Sequence, residues 1–112
     1  MQYALMIYAE PAYGDALPEA EREKVRAEFH ALLSDERVVE AARLQPAETA
    51  TSVRVVGGQT LMTDGPFADT KEVLGGFAVI EAANLDDAVE LASRIPVARY
   101  GGAIEIRPVV RL

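Results

Sequence analysis

The sequence predicts one α+β domain, residues 1–112, with a ferredoxin-like βαββαβ plan and an inserted β-hairpin. Three observations support this prediction. Short apolar runs of strand-like composition surround two longer segments, these two segments repeat apolar residues at helical spacing, and a Gly-Gly pair separates two further β-patterned runs. Elements in this order form a mainly antiparallel sheet with both helices on one face.

The first predicted strand, residues 3–9, is a continuous apolar run, which is typical of a strand covered on both faces. We place it at the centre of the sheet. Turn and breaker residues at 10–15 then take the chain out of the sheet. A helix begins at Pro18, a residue suited to the first helical position, and runs to about Asp35. The apolar stripe expected to face the sheet is Val25, Phe29, Leu32 and Leu33.

The middle of the chain is predicted to be β. Residues 37–45 form one strand, and residues 51–56 and 59–63 form two more. The last two are joined by Gly57-Gly58, and glycine permits the positive φ angles of a tight hairpin turn. A two-residue hairpin is therefore predicted at this position.

The last third of the chain adds a strand, a helix and a strand. Gly75-Gly76 at the start of the strand 74–82 indicate a bulge or a close approach by another backbone or a ligand. Asn84 is the predicted cap of the second helix, with Asp87 as its capping-box partner. Residues 103–110 are the last predicted strand. The inner stripe of the second helix is expected to be Leu85, Ala88, Ala92 and Ile95.

The first strand carries apolar side chains on both of its faces. Tyr3, Leu5 and Ile7 alternate along the chain with Ala4, Met6 and Tyr8. Two helices can cover only one face of the sheet, and soluble monomers rarely expose large apolar patches. We therefore predict a homodimer in which two copies pack sheet to sheet.

Composition excludes several classes of function. Eighteen acidic against eleven basic residues give a net charge of −7, which disfavours nucleic acid and anionic membranes as partners. There is no cysteine for a disulfide, a thiolate metal site or a nucleophile. One histidine with scattered carboxylates matches no metal-ligand spacing, and no nucleotide-binding loop is present, so neither a metal nor a cofactor is expected. No signal peptide or membrane span is recognised, which predicts a cytoplasmic protein.

Polar chemistry is concentrated in residues 63–72, between two β-patterned runs. The structural interpretation is a turn, because Asp64, Gly65 and Pro66 each favour turn geometry. The functional interpretation makes Asp64 an acid/base group or a ligand anchor beside the dimer cleft. The mouth of that cleft would be lined by Asp69, Lys71 and Glu72. Phe67 is expected to plug the core.

Other candidate residues lie outside this loop. His30 is the only histidine, and helical spacing places it at the border of the apolar stripe, so it is either a surface residue or a catalytic one. Tyr8 offers a hydroxyl donor. Four arginines in or beside strands either bind a carboxylate ligand or form ion pairs with Glu40, Glu48, Glu105 or Asp64. These arginines are Arg43, Arg54, Arg99 and Arg107, of which Arg43 and Arg54 are predicted ligand-binding residues.

Several segments carry a family resemblance. TDGPFADTKE at 63–72, followed by LGGF at 74–77, resembles the DGPF group of the YCII-related proteins, as do LQP at 44–46 and EIRP at 105–108. The resemblance implies a dimeric α+β barrel of ferredoxin-like subunits. It also implies a partner, since relatives occur beside or fused to extracytoplasmic-function sigma factors. A His and Asp pair used in the better-studied YCII branch has no matching motif positions here, so it is not transferred.

Two functions of different classes remain open. One is a small-molecule enzyme or ligand binder, with Asp64, one arginine and His30 converging on a pocket between the sheet and the second copy. The other is a non-catalytic regulatory or interaction domain that works with a sigma factor.

Overall fold

The computed structural model describes residues 1–111 and contains a four-stranded sheet, a two-stranded sheet and three α-helices. The strands are β1 (Gln2–Ala9), β2 (Val38–Arg43), β3 (Thr51–Val56), β4 (Gln59–Asp64), β5 (Val73–Glu81) and β6 (Ala103–Pro108). The helices are α1 (Pro11–Ala16), α2 (Glu19–Leu32) and α3 (Leu85–Ser93), and Ala47–Thr49 and Pro96–Arg99 form 3₁₀ turns. The predicted α+β class with an antiparallel sheet is confirmed.

The four-stranded sheet has the strand order β2-β5-β1-β6, and every neighbouring pair is antiparallel. β1 is a central strand, as predicted. The register places Leu5 opposite Ala78 of β5 on one side and Ile106 of β6 on the other. Ala78 is in turn opposite Ala41 of β2, so these four residues share one face of the sheet.

The hydrophobic core lies between this face and two helices. Tyr3, Leu5 and Ile7 of β1 are buried, and they pack with residues of β5 and α3 and with partly buried residues of α2. Leu5, Ile80 and Leu91 are the deepest large aliphatic side chains, with 2% exposure or less. Burial of such side chains removes apolar surface from water and stabilises this helix-covered face.

No helix of residues 1–111 packs on the opposite face of the sheet. It carries Ala4, Met6 and Tyr8 of β1, which alternate with the buried residues, and the β5 residues Phe77 and Val79 that pair beside them. Phe77 remains 37% exposed. The sheet therefore has two apolar faces, and the helices cover one of them. The alternation of apolar side chains in β1 predicted this arrangement.

The first helical segment differs from the prediction. Residues 10–15 were expected to be a turn, but Pro11–Ala16 form a six-residue helix. Pro11 occupies the first helical turn, where its missing N–H costs nothing, so a residue taken as a breaker begins the helix instead. Leu17 then ends it, its N–H donating to the Gly14 carbonyl at 3.2 Å.

The longest helix follows the prediction closely at its start. Pro18 is the residue before α2, and no side chain caps it. Within Glu19–Leu32 no residue is fully buried, although Phe29 and Leu32 pack against the core. Leu33 was wrongly assigned to the buried stripe. It lies one residue beyond the helix and is 39% exposed.

The cap of α3 was predicted correctly. The Asn84 side chain accepts a hydrogen bond from the Asp87 N–H at 2.9 Å. Asp87 reaches back one residue further than a capping box requires and accepts from the Ala83 N–H at 2.9 Å. Leu85 was wrongly placed in the inner stripe: it opens the helix and is 53% exposed. Leu91, 2% exposed, takes its place beside Ala88, Ala92 and Ile95.

The β3–β4 pair forms a two-stranded sheet of its own. Val56 pairs with Gln59, and Gly57 and Gly58 have φ of +56° and +80° between them. Most hairpin side chains are exposed, including Val53, Val55 and Met62. In the larger sheet, the β1–β5 register shifts between Ile7 and Tyr8, so the bulge predicted at Gly75-Gly76 is confirmed.

The helices of residues 1–111 include none with both the length and the apolar character needed to cross a membrane.

Candidate functional site

The segment after β4 is anchored to the start of the hairpin. Gly65, with φ of +99°, donates its N–H to the Ala50 carbonyl at 2.7 Å, and its own carbonyl accepts from the Ser52 hydroxyl at 2.8 Å. A side chain at this φ would be strained, which explains a glycine here. The turn interpretation of Asp64-Gly65-Pro66 therefore accounts for the backbone of this segment. A functional role would depend on the side chains and the hollow beside it.

A hollow of about 540 Å³ lies between this segment, the 3₁₀ turn Ala47–Thr49 and the uncovered sheet face. We call it the loop hollow. Its volume is within the range of ligand sites. Its wall is mainly apolar and consists of Tyr8, Leu44, Gln45, Pro46, Ala47, Thr49, Ala50, Pro66, Phe67, Ala68, Thr70, Glu72, Val73 and Leu74.

Few polar side chains in this wall are available to a ligand. The Thr49 hydroxyl donates to the Pro46 carbonyl at 2.7 Å, and the Thr70 hydroxyl donates to the Glu72 carbonyl at 2.5 Å. Three polar groups of the wall make no hydrogen bond within residues 1–111: the Tyr8 hydroxyl, the Gln45 side-chain amide and the Glu72 carboxylate. The loop hollow can therefore offer a hydroxyl, an amide and a carboxylate to an apolar molecule. Tyr8 and Glu72 are two of the predicted ligand-binding residues.

A third predicted residue, Arg54, contacts an aromatic ring that lines the loop hollow. The Arg54 guanidinium carbon lies 4.7 Å from the centre of the Phe67 ring, which is itself a wall residue. The prediction that Phe67 plugs the core was wrong, because the ring is 75% exposed. The segment that carries it runs outside the sheet, so the ring packs on Arg54 and lines the loop hollow instead. Such cation–π contacts are worth about 0.5–1 kcal/mol at exposed sites.

His30 and Arg43 meet at a different place. Both line a hollow of about 440 Å³ between α2 and the edge strand β2. The histidine comes from the exposed side of the helix and the arginine from the last residue of β2. They share this wall with Arg26 and Glu23, which are joined to each other at 2.6 Å.

The remaining predicted residues are not gathered around either hollow. Asp64, Asp69 and Lys71 are exposed, and none of the three lines the loop hollow or the hollow between α2 and β2. His30 lines the hollow between α2 and β2 and Asp64 does not, so neither hollow brings these two residues together. The ion-pair interpretation is confirmed for Arg107, which binds Glu105, whereas Arg99 binds Glu28 on α2, a partner that was not predicted.

The most connected polar cluster was missed by the sequence-based predictions. Arg37 donates to both oxygens of Asp35, at 2.9 and 2.8 Å, and also to Asp87 at 2.7 Å and Glu90 at 3.0 Å. Arg94 adds a bond to Asp35 at 3.1 Å. Asp35 and Arg37 keep only 18% and 16% of their side-chain exposure. We call these five residues the arginine cluster. It ties the α2–β2 connection to α3.

The electrostatics of this cluster follow from its hydrogen bonds. The side chain and then the backbone N–H of Arg37 hold the pKa of Asp35 well below its ordinary value. The Asp35 carboxylate in turn raises the pKa of Arg37. A short Asp-x-Arg spacing was the visible signal in the sequence, but it gives no hint of Asp87 and Glu90, which lie 50 and 53 residues further on. All its carboxylates are engaged, so the cluster is structural.

Comparison with known proteins assigns the chain to a family. The family model for the YCII-related domain matches residues 1–112. An uncharacterized protein of Rhizobium meliloti (strain 1021) is 36% identical over an alignment of 116 positions that covers 97% of this chain and 92% of the relative. A match over the whole sequence together with this identity leaves one conclusion: the chain belongs to the YCII-related family.

Proposed function

We propose that this protein is a homodimeric small-molecule-binding protein whose ligand lies in the loop hollow. In this proposal each subunit has the ferredoxin-like plan of the DGPF group, and two subunits form a dimeric α+β barrel. The strand order β2-β5-β1-β6 with α2 and α3 on one face supports the subunit plan. The β3–β4 hairpin is then an insertion between the second and third strands of that plan.

The size and shape of the protomer support a second copy. A monomer of 12.1 kDa is expected to expose about 6,000 Å². This protomer exposes 7863 Å², about 1,800 Å² more. Its radius of gyration is 15.8 Å, against about 13 Å for a compact chain of this length. The excess is comparable to the surface that one partner loses in an obligate dimer.

The uncovered sheet face is the surface that a second copy would cover. Met6 lies at its centre, between Phe77 of β5 and Glu105 of β6. Tyr8 and Leu74 at the end of the same face also line the loop hollow, so a subunit packed on this face would close the hollow from above. Such closure removes water and strengthens the polar contacts inside.

The wall chemistry indicates the class of ligand. Apolar side chains favour a ring, and Glu72 accepts hydrogen bonds while Tyr8 and Gln45 can donate them. The geometry fits a small aromatic or alicyclic molecule that carries hydroxyl groups. If the protein is an enzyme of such a molecule, Glu72 is the wall residue that can take a proton from a hydroxyl. The single observation that carries the proposal is the adjacency of this hollow to the uncovered face.

Light scattering after size exclusion tests the dimer. We expect a mass of about 24 kDa, twice 12.1 kDa. Met6→Glu places a charge at the centre of the proposed interface and should yield a monomer. Lys24→Gln changes the net charge by the same amount on the exposed side of α2 and should remain dimeric. A monomeric wild type would contradict the proposal.

Thermal shift with phenol, catechol and cyclohexanol tests the ligand site. Stabilisation of the wild type should be weakened or lost in Tyr8→Phe with Glu72→Gln, because the double variant lacks the Tyr8 hydroxyl and the negative charge of Glu72 that strengthens its hydrogen bond to a ligand hydroxyl. Asp64→Asn is the informative control, since Asp64 is outside the hollow wall. Retained stabilisation in Asp64→Asn supports the loop hollow. Loss in Asp64→Asn with retention in the double variant would instead favour the site predicted from the sequence.

The hairpin favours a second candidate function. Three apolar hairpin side chains are largely exposed: Val53 at 60%, Val55 at 67% and Met62 at 71%. A two-stranded hairpin that packs so few side chains against the rest of the protein is only marginally stable by itself. A regulatory domain that binds an extracytoplasmic-function sigma factor, the partner implied by the family resemblance, would use such a surface. Met62→Asp should then abolish co-elution with the sigma factor and leave the dimer mass unchanged. A Met62→Asp monomer would assign the hairpin to the dimer instead.

A further inference from the structure

Three hollows adjoin one another on the helix-covered side of the sheet, away from the loop hollow. Their volumes are about 440, 260 and 250 Å³, and Arg26 and Arg43 belong to the walls of all three. We call the combined space the helix groove. It runs from His30 on α2 to the short helix α1, at the end of the sheet where the core residues stop.

The deep end of the helix groove is apolar. Val25 and Phe29 of α2 form one side, and Gly75 and Gly76 of β5 form part of the floor. A Cβ atom at position 76 would lie 2.9 Å from the Ala42 carbonyl oxygen, so the close approach of β2 favours glycine there. No side chain from this position therefore enters the hollow. The other apolar wall residues are Ile7, Ala9, Ile95, Pro96 and Val97. An apolar ring or branched chain can occupy this end.

Arg43 lines this apolar end of the helix groove. It is the last residue of β2 and is paired with Gly76, which is paired with the buried Ile7, so Arg43 belongs to the helix-covered face. Within residues 1–111, no carboxylate lies within ion-pair distance of Arg43. The guanidinium therefore has its bidentate donor edge available for a ligand.

The other two arginines along the helix groove already have carboxylate partners. Arg26 is bound to Glu23 at 2.6 Å, and Arg22 to Glu19 at 2.9 Å. Asp15 lines the outer hollow only. His30 lines the 440 Å³ hollow together with Arg43, and its ring nitrogens are potential donors to a ligand in that hollow.

We propose that the helix groove binds a small organic carboxylate. The apolar body of the ligand enters between α2 and the sheet, and its carboxylate receives paired hydrogen bonds from Arg43 with His30 beside it. This site is separate from the loop hollow, because the two walls have no residue in common. It does not depend on the proposed function of the loop hollow.

Isothermal titration with 2-naphthoate, 2-naphthamide and inorganic phosphate tests this proposal. We expect 2-naphthoate to bind at least about tenfold more tightly than the neutral amide or phosphate, since both the charge and the ring contribute. Arg43→Gln should weaken 2-naphthoate at least about tenfold, and Arg43→Lys should weaken it less because the charge is kept. Amide NMR shifts on binding should centre on Val25 and Gly76.

Matched variants locate the effect. Arg107→Gln removes an equal charge on the uncovered face, and Glu72→Gln alters the loop hollow, so both should bind 2-naphthoate as the wild type does. Each variant is first melted to establish that it is folded. Three outcomes overturn the proposal: no binding of 2-naphthoate to the wild type, equal binding to folded Arg43→Gln, or phosphate binding as tight as that of 2-naphthoate, which would leave the apolar wall without a role.

Discussion

Replacing Asp35 by asparagine tests the arginine cluster most directly. Asp35→Asn keeps the shape of the side chain and removes the charge that two arginines bind. Breaking a fully buried ion pair costs about 3–5 kcal/mol. Asp35 and Arg37 are not fully buried, since they keep 18% and 16% of their side-chain exposure. We therefore expect the variant to lose about 2 kcal/mol of unfolding free energy at pH 7, which lowers the melting temperature by about 8 °C. Urea denaturation at one fixed protein concentration measures it.

The same variant predicts a specific pH dependence. The pKa of Asp35 is lower in the folded protein than in the unfolded chain, so its carboxylate stabilises the fold above the ordinary Asp value. This stabilisation declines as the pH falls toward the folded pKa. One proton taken up on unfolding is worth about 1.4 kcal/mol per pH unit, so the wild type should lose about 1 kcal/mol from this group by pH 3. Asp35→Asn lacks the group, and the stability difference between the two proteins should narrow by that amount.

Asp69→Asn is the matched control. Asp69 is exposed in the segment after β4 and takes part in no ion pair formed by residues 1–111. Its replacement should change the unfolding free energy by less than about 0.5 kcal/mol. A stability difference for Asp35→Asn that stays below about 0.5 kcal/mol, or that is the same at pH 7 and pH 3, would refute the role given to the cluster.

Three further predictions concern packing. Leu91→Ala should cost about 2–5 kcal/mol and Leu85→Ala less than about 1 kcal/mol, because these side chains are 2% and 53% exposed; equal losses in urea denaturation would contradict the observed face of α3. Gly102→Ala should cost about 1–3 kcal/mol, since its Cβ would lie 2.5 Å from the Tyr8 carbonyl oxygen. Gly14→Ala meets nothing within 4 Å and replaces a helical glycine, so by the same assay it should cost nothing or stabilise by up to about 1 kcal/mol. Phe67→Leu should cost less than about 1 kcal/mol, and a loss above about 2 kcal/mol would restore the core role predicted for this ring.

The two proposed sites make different demands on the assembly. The loop hollow lies beside the uncovered face, so its ligand affinity should depend on the dimer and weaken in Met6→Glu. The helix groove lies under α2 within one subunit, so its affinity for 2-naphthoate should be the same in Met6→Glu as in the wild type. Titrating both proteins with both kinds of probe separates the two proposals.

Local chemistry determined much of the fold from the sequence alone. The apolar run in β1, the Gly57-Gly58 turn and the Asn84 cap depend on residues within a few positions of one another, and each was predicted from them. The alternation in β1 also indicated two apolar faces, because successive side chains point to opposite sides of a strand. The segment at 63–72 and the shorter segments that accompany it resemble the YCII-related family, and the comparisons establish that membership.

Tertiary structure alone decided which polar groups meet. Asp35 and Asp87 share Arg37 although 52 positions separate them, and no local pattern encodes that contact. The same is true of His30 and Arg43, which a helix and an edge strand bring to one groove. Phe67 shows the converse: its type favoured burial, but a segment held outside the sheet by Gly65 leaves the ring on the surface. Burial and partnership depend on how the elements pack, and packing is a property of the whole chain.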